Sequence, residues 1–396
     1  MTDQNRGKDF VSEIVLAIQE VVGKGKIPLH EPEFKGNEWK YLKDCLVSNF
    51  VSSIGKYVDQ FERNLEAYTG AKHAIAVTNG TAALHISLIL AGVRPNDEVI
   101  VPALTFVATA NAVIYCGGIP LFADSEEETL GIDPIKLREY LANSTHQIAG
   151  ECINKITGRV IRAAVPMHVF GHPCKIKEIL EVCDEFNIRT VEDAAESLGS
   201  QYLNKHTGTF GLLGTLSFNG NKIITTGGGG AILTNDSLLA ERAKHITTTA
   251  KLNHPWLYRH DAIGFNYRLP NLNAALGCSQ LEDIEDKVSR KRNIYELYKE
   301  SFQHIDGVSI LREPAGTRSN YWLQTIILDN RNSSERDLIL DASNKQGIST
   351  RPAWDLINSL TPFSKFPSMN TKVASSLTTR IINIPSSPGI STHEHH

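Results

Sequence analysis

Apolar residues near the start of the chain recur every three or four positions. Phe10, Ile14, Ile18 and Val22 follow this spacing, which puts their side chains on one face of a helix. The pattern predicts an amphipathic helix within residues 1–30, which we expect to form an N-terminal helical extension.

From about residue 57 onward, short apolar runs alternate with helical stretches. The runs that predict strands are residues 74–77, 98–101, 119–122, 160–165, 190–192, 216–218 and 231–234. This alternation is typical of an α/β fold with a mostly parallel central sheet. We expect one large α/β domain over residues 31–280. A charged helical stretch near residues 281–302 opens a smaller C-terminal α/β domain over residues 281–396.

The composition excludes several classes of partner. The chain has 396 residues, a net charge of −4 and a pI near 6.4, so nucleic acid and anionic membranes are not expected as main partners. No apolar run approaches the roughly 20 residues that span a bilayer. The polar start at Met1 does not lead into a signal-peptide core, and we expect a cytoplasmic protein.

Metal binding is not expected from the cysteines. The six cysteines show neither a Cys-x-x-Cys pair nor a zinc-type spacing with histidine. We therefore predict no metal site, and we assign no function to the histidine-rich end, residues 393–396.

Gly80 follows the predicted strand 74–77 within the motif Asn79-Gly80-Thr81. A glycine lets the backbone come close to an anion, and the free N–H groups at the start of the next helix favour phosphate. The same residues also suit an ordinary turn with a helix N-cap. The motif alone leaves both interpretations open.

Asp193 follows the predicted strand 190–192, and two alanines separate it from Glu196. A carboxylate here can keep an aromatic ring nitrogen protonated, because close opposite charges attract by about 4 kcal/mol at an effective dielectric constant near 20. The alternative is that Asp193 caps the next helix.

Two further stretches carry groups that suit a flat, anionic ligand. Phe106 follows the strand 98–101 and can stack on an aromatic ring, although a phenylalanine among apolar residues also suits a core. A later loop stretch carries side chains that can bind an anion or lie solvated, namely Lys251, His254, Arg259, Asn266 and Arg268.

Lys222 is the most informative residue of the chain. It lies between the predicted strand 216–218 and a glycine run, residues 227–230. A partly desolvated amine in such a setting can bond covalently to a carbonyl group. The competing interpretation is an exposed loop lysine beside a surface turn.

Together, these motifs resemble the DegT/StrS family of nucleotide-sugar aminotransferases. The resemblance covers nearly the whole chain and rests on the order of Asn79-Gly80-Thr81, Thr105-Phe106, residues 192–195, Ser217 with Lys222, and residues 264–268. It implies the aspartate aminotransferase-like type I fold, with pyridoxal 5′-phosphate as the cofactor.

The resemblance also implies two catalytic residues and a stacking ring. Lys222 takes the position of the lysine that bonds covalently to the cofactor, and Asp193 that of the partner of the pyridine nitrogen. Phe106 takes the stacking position. Glu196 stands where many relatives have glutamine or histidine near the cofactor's phenolic oxygen, which leaves its role open.

A phosphate site shared between two subunits is a further implication. Gly80, Thr81 and Ser217 resemble the phosphate-binding residues, and Asn266 resembles a residue that reaches in from a second subunit. The resemblance thus implies a homodimer with shared active sites.

The implied reaction is transfer of an amino group from L-glutamate to a nucleotide-linked keto sugar. Within the family, the resemblance is greatest to the legionaminic acid type. That subgroup implies amination at C4 of a UDP-4-keto-6-deoxy-N-acetylhexosamine, for bacterial surface-glycan or nonulosonic acid biosynthesis. Four side chains would bind the nucleotide sugar, namely Lys251, His254, Arg259 and Arg268.

Three alternatives remain at this point. A 3-keto nucleotide-sugar aminotransferase would need the same residues. A related sugar 3-dehydratase has histidine in place of Lys222, which argues against that branch. A non-catalytic regulatory protein on the same scaffold would lack a reactive lysine.

Overall fold

The alternation of apolar runs and helical stretches produces a seven-stranded sheet at the centre of the molecule. The computed structural model describes residues 3–392, so the histidine-rich end lies outside the described residues. The strands are β1 (His73–Val77), β2 (Glu98–Pro102), β3 (Ile119–Ala123), β4 (Thr145–Ile148), β5 (Glu151–Asn154), β6 (Ile161–Ala164), β7 (Arg189–Asp193), β8 (Gln201–Tyr202), β9 (Lys205–His206), β10 (Leu213–Ser217), β11 (Gly230–Thr234), β12 (Val308–Ile310), β13 (Thr317–Arg318), β14 (Gln324–Leu328), β15 (Arg351–Pro352) and β16 (Ile381–Ile384).

Helices fill most of the sequence between these strands. They are α1 (Asp3–Val22), α2 (Glu38–Val47), α3 (Lys56–Thr69), α4 (Gly80–Leu90), α5 (Val107–Tyr115), α6 (Pro134–Ser144), α7 (Ile176–Glu185), α8 (Ser237–Thr247), α9 (Asn271–Glu282), α10 (Ile284–Phe302), α11 (Arg336–Lys345) and α12 (Lys372–Thr378). The predicted helix near residues 281–302 is interrupted at Asp283, where α9 gives way to α10. Among the helices of the described residues, none combines the length and apolar character needed to cross a bilayer.

The central sheet has the strand order β1-β11-β10-β7-β6-β2-β3. Its pairings are parallel from β10 to β3, and only β11 runs against its two neighbours. Both faces are buried, because Val99 and Val101 point into one apolar cluster and Ile100 into another. The predicted α/β fold with a mostly parallel sheet is confirmed.

One predicted strand was misplaced. The sequence predicts a strand at residues 216–218, but β10 runs from Leu213 to Ser217 and leaves Phe218 outside. Gly214 and Thr215 lie in the interior of β10. Because their side chains are small or polar, this part of the strand does not form an apolar run in the sequence.

The N-terminal helix packs on the last part of the chain. Ile14 and Ile18 of α1 share an apolar cluster with Tyr298 of α10, Ile326 of β14 and Ile382 of β16. The antiparallel sheet β12-β14-β16-β15 forms the other side of this cluster. The first and last segments therefore share one core, while the domain boundaries at residues 30 and 280 stay predictions.

The buried carboxylate of Glu192 fixes the end of β7. Its Oε2 accepts from His168 Nε2 at 3.1 Å and from the Gly208 N–H at 2.8 Å. Its Oε1 accepts from the N–H groups of Phe210 and Gly211 at 2.6 and 2.7 Å. Burial disfavours the charged form, but the His168 and backbone donors outweigh burial and hold the pKa of Glu192 below its usual value.

Replacing Glu192 by glutamine should destabilise the protein by about 3–5 kcal/mol, the usual cost of removing one member of a buried charged network. The amide nitrogen would face N–H groups that now donate to a carboxylate oxygen. Chemical denaturation measures the free energy of unfolding. The matched control is Glu139→Gln on the exposed face of α6, which should change it by less than about 0.5 kcal/mol. Equal stability of the two variants would contradict the role given to Glu192.

Candidate active site

A cavity of about 360 Å³ lies at the edge of the central sheet where β1, β7 and β10 end. Parallel strands bring their carboxyl ends, and the residues that follow them, to one edge. The cavity is lined by seven of the residues predicted from the sequence, namely Gly80, Thr81, Phe106, Asp193, Glu196, Ser217 and Lys222.

One end of the cavity is built on the start of α4. Asn79 caps this helix, since its side chain accepts from the Ala82 N–H at 2.8 Å. The first N–H groups of a helix have no acceptor within the helix and therefore suit a phosphate. A Cβ at Gly80 would lie 2.9 Å from the Ser217 Cβ, so a glycine is required for this close approach. The N-cap and the anion-binding interpretations of the motif are compatible here.

Asp193 lies deep in the cavity with both carboxylate oxygens bonded. The Thr109 hydroxyl donates to Oδ2 at 2.7 Å, and the Ala195 N–H donates to Oδ1 at 3.2 Å. Burial raises the pKa of Asp193. The alternative of a helix cap is wrong, because the chain continues from Asp193 into turns and β8 rather than into a helix. Because each carboxylate oxygen can accept two hydrogen bonds, both oxygens can still accept from a ligand.

Lys222 is not an exposed loop lysine. Only 13% of its side chain is exposed, and its Nζ lies 3.2 Å from Glu196 Oε1. The ammonium also lies 3.9 Å from the ring centroid of Trp322. The turn between β10 and β11 thus presents a partly desolvated amine to the cavity.

Glu196 is held by a strained backbone segment. Its Oε2 accepts from the Phe170 N–H at 2.9 Å. Phe170 has φ 54° and ψ 18°, a left-handed conformation that is uncommon for a residue other than glycine. Burial raises the pKa of Glu196, and the Lys222 ammonium opposes that rise.

Phe106 does not belong to the core. It is 49% exposed, directly precedes α5 and lines the cavity. Its ring centroid lies 6.3 Å from that of Trp354, which in turn lies 4.9 Å from that of Phe170. Phe106 and Trp354 both line the cavity, where a flat ligand could contact them, whereas the Phe170 ring is buried against Trp354.

The loop side chains predicted to bind the nucleotide sugar do not line the cavity of their own chain. Arg268 donates to the Ser53 carbonyl at 2.9 Å, and Lys251 lies 4.1 Å from the ring centroid of Tyr258. His254 accepts at Nδ1 from the Leu257 N–H at 3.0 Å. Arg259 and Asn266 have exposed side chains and are also absent from the lining.

Sequence reasoning missed the two tryptophans of the cavity. Trp322 and Trp354 lie more than 90 residues after Lys222 and carry no motif of their own. A hydrogen bond of 2.7 Å from Trp322 Nε1 to the Asn221 carbonyl connects Trp322 to the turn that carries Lys222. No local pattern could have revealed this long-range contact.

The assembled side chains fit pyridoxal phosphate. A helix start suits its phosphate, the buried Asp193 suits its ring nitrogen, and Lys222 suits its aldehyde. Gly80 keeps the phosphate end open, since a side chain there would meet Ser217. The donor set thus matches the cofactor group by group.

Replacing Thr109 by valine should lower the free energy of unfolding by about 1–3 kcal/mol, because a buried carboxylate loses a hydroxyl donor. Denaturation with a fluorescence readout measures the change. Thr361→Val, at an exposed position, is the matched control and should stay within about 0.5 kcal/mol of the parent. A Thr109 variant as stable as this control would show that Asp193 does not depend on the hydroxyl.

Curated relatives align along nearly the whole chain. GDP-perosamine synthase of Escherichia coli O157:H7 is 36% identical over 368 residues, which cover 93% of this chain and 95% of that protein. The putative pyridoxal phosphate-dependent aminotransferase EpsN of Bacillus subtilis is 39% identical over 330 residues, which cover 83% and 81%. The sugar named for the first relative is not the one expected from the legionaminic acid type.

Solved structures show the same fold. A DegT DnrJ EryC1 StrS aminotransferase from Brucella abortus aligns with a TM-score of 0.80 at 27% identity, over 89% of this chain and 90% of that one. PseC of Helicobacter pylori, an aminotransferase involved in pseudoaminic acid biosynthesis, aligns with a TM-score of 0.82 at 26% identity, over 91% and 94%.

The predicted enzyme class and cofactor are confirmed by these comparisons. The DegT/DnrJ/EryC1/StrS aminotransferase model matches residues 32–396. This match and the relatives aligned over more than nine tenths of the chain show that it belongs to the DegT/DnrJ/EryC1/StrS family and is a nucleotide-sugar aminotransferase that uses pyridoxal 5′-phosphate.

Proposed function

We propose that this enzyme transfers the amino group of L-glutamate to C4 of a UDP-linked 4-keto-6-deoxy-N-acetylhexosamine. The product would serve bacterial surface-glycan or nonulosonic acid biosynthesis. The observation that carries transamination is the partly buried amine of Lys222, which lies 3.2 Å from Glu196 Oε1 and lines the same cavity as Asp193. The lysine also argues against the dehydratase alternative.

Bound pyridoxal phosphate supplies an aldehyde that bonds to amines and a ring that draws electrons from the attached carbon. Asp193 holds a proton at the ring nitrogen, because a buried carboxylate favours a nearby cation. Lys222, once free, takes a proton at Nζ from the α-carbon of the donor and passes it on. Thr81, Ser217 and the start of α4 bind the phosphate.

A GDP-linked acceptor is the second candidate. It is favoured by the relatives named GDP-perosamine synthase, which are 36% and 34% identical to this chain over more than nine tenths of its length. The UDP-linked acceptor is favoured by the motif Ser217-Phe218-Asn219-Gly220-Asn221-Lys222 and the N-terminal helix. The two candidates share C4 chemistry and differ in the nucleotide.

The shared active site of a homodimer is also part of this proposal. The loop before Asn266 carries Trp256, Tyr258 and Ile263, which are 75%, 81% and 88% exposed. Such a cluster of exposed apolar side chains is typical of a surface covered by another protein. A second copy of the chain would cover it and receive Asn266, Lys251, His254, Arg259 and Arg268 near its own cavity. The cytoplasmic location stays a prediction from the sequence.

Replacing Lys222 by alanine should abolish the visible absorption band that the bound cofactor gives with the lysine. Turnover should fall at least about 100-fold, the lower range for loss of a general acid–base group. Absorption spectra and a coupled 2-oxoglutarate assay measure the two effects. Lys365→Ala, an exposed lysine, is the control that should keep both. An unchanged band in Lys222→Ala would refute the assignment.

Nucleotide and regiochemistry are tested with a panel of acceptors at fixed glutamate. UDP- and GDP-linked 4-keto-6-deoxy sugars and a UDP-linked 3-keto sugar are compared by kcat/KM. We expect the UDP-linked 4-keto-N-acetylhexosamine to exceed the others by at least about tenfold, or about 1.4 kcal/mol. A preference for the GDP-linked sugar would favour the second candidate, and turnover of the 3-keto sugar alone would reject both.

Mixed dimers test the shared site. Lys222→Ala and Asn266→Ala protomers are each expected to be impaired. After equal mixing, about half of the dimers are hybrids and one of the two sites in each hybrid is complete, so about one quarter of the parent activity should return. Restoration requires Asn266 to act on the partner. No restoration in verified hybrids would place Asn266 in the site of its own chain.

A further inference from the structure

The indole of Trp322 lies directly against the amine that the proposed reaction releases. Lys222 Nζ lies 3.9 Å from the ring centroid of Trp322, and Glu196 Oε1 lies 3.2 Å from the same nitrogen. We infer that Trp322 is a positioning residue. Its indole holds the Lys222 ammonium while the amine is not bonded to the cofactor. This inference rests on the proposed role of Lys222.

Trp322 is held by one hydrogen bond from its indole and two at its backbone. Its Nε1 donates to the Asn221 carbonyl at 2.7 Å, one residue before the lysine. The Trp322 N–H donates to Asn320 Oδ1 at 2.8 Å, and the Trp322 carbonyl accepts from the Ser386 hydroxyl at 2.9 Å. Trp322 is only 4% exposed. The ring face therefore keeps its position whether or not the Lys222 ammonium lies against it.

The contacts of the Lys222 ammonium differ from a simple ion pair. A cation over an indole face is attracted by the ring quadrupole, and indole is the strongest such face among the amino acids. Glu196 supplies a carboxylate at a second position around Nζ, so the ammonium has a polar and an aromatic partner. Both partners line the cavity.

The contact with Trp322 affects the step in which glutamate releases Lys222 from the cofactor. When L-glutamate reacts, the bond between Lys222 Nζ and the cofactor breaks and the amino nitrogen of glutamate stays with the cofactor. Water supplies the keto oxygen of 2-oxoglutarate, glutamate is oxidised by two electrons, and the cofactor takes up those electrons as its amine form. Lys222 is left as a free ammonium over Trp322. Favourable contacts of this ammonium shift the equilibrium between cofactor-bonded and free Lys222 toward the free amine.

The test is the ratio of glutamate to 2-oxoglutarate at which half of the cofactor has changed form, read from the visible band without any sugar. Trp322→Leu removes the ring face and should raise this ratio about 3- to 10-fold, while Trp322→Phe, which keeps an aromatic face, should raise it less. Trp39→Leu, an indole that is 83% exposed, is the control and should leave it unchanged.

Fluorinated tryptophan provides a second measurement that does not depend on the folding of Trp322→Leu. Fluorine withdraws electrons from the ring face, so the ratio should rise with each added fluorine in the parent. It should stay constant in the Trp322→Phe background, which retains Trp354. A ratio that ignores fluorination in the parent would overturn the inference. Absence of any Lys222-dependent band in the parent would instead reject the proposed function itself.

Discussion

The hydrogen bonds to the buried carboxylate of Glu192 are the constraint on which the site depends. A charge removed from water must be compensated by donors, and here those donors come from His168 and from the backbone of residues 208–211. They fix the end of β7 against two other segments. Asp193 is the next residue, so its position in the cavity follows from the bonds of its neighbour.

The cavity combines side chains from two parts of the chain. Residues at the edge of the central sheet provide the helix start, the aspartate and the lysine, while Trp322 and Trp354 come from the C-terminal part. Phe170 connects the two sets, because its N–H bonds to Glu196 and its ring packs on Trp354. Its left-handed backbone, which costs of order 1–3 kcal/mol, is maintained by both contacts.

Sequence reasoning located the site residues that lie close to a predicted strand along the chain. Gly80, Asp193 and Lys222 each follow or border a strand, so strand periodicity together with residue type was sufficient to place them at one edge. The tryptophans could not be placed in this way, because their contact with Lys222 joins residues about 100 positions apart. The packing of α1 on the C-terminal sheet was missed for the same reason.

The core shared by the two ends has a consequence for how the chain is made. Ile14 and Ile18 leave the ribosome early, but their partners Ile326 and Ile382 are added only near the end of synthesis. Until then the apolar face of α1 lacks part of its native cover, and such exposed surface favours aggregation. Within residues 3–392, every strand of the central sheet lies between residues 73 and 234, so all of these strands are synthesised before the C-terminal part. The nascent chain therefore holds every strand of the catalytic edge before the segment that carries Trp322 and Trp354 is made.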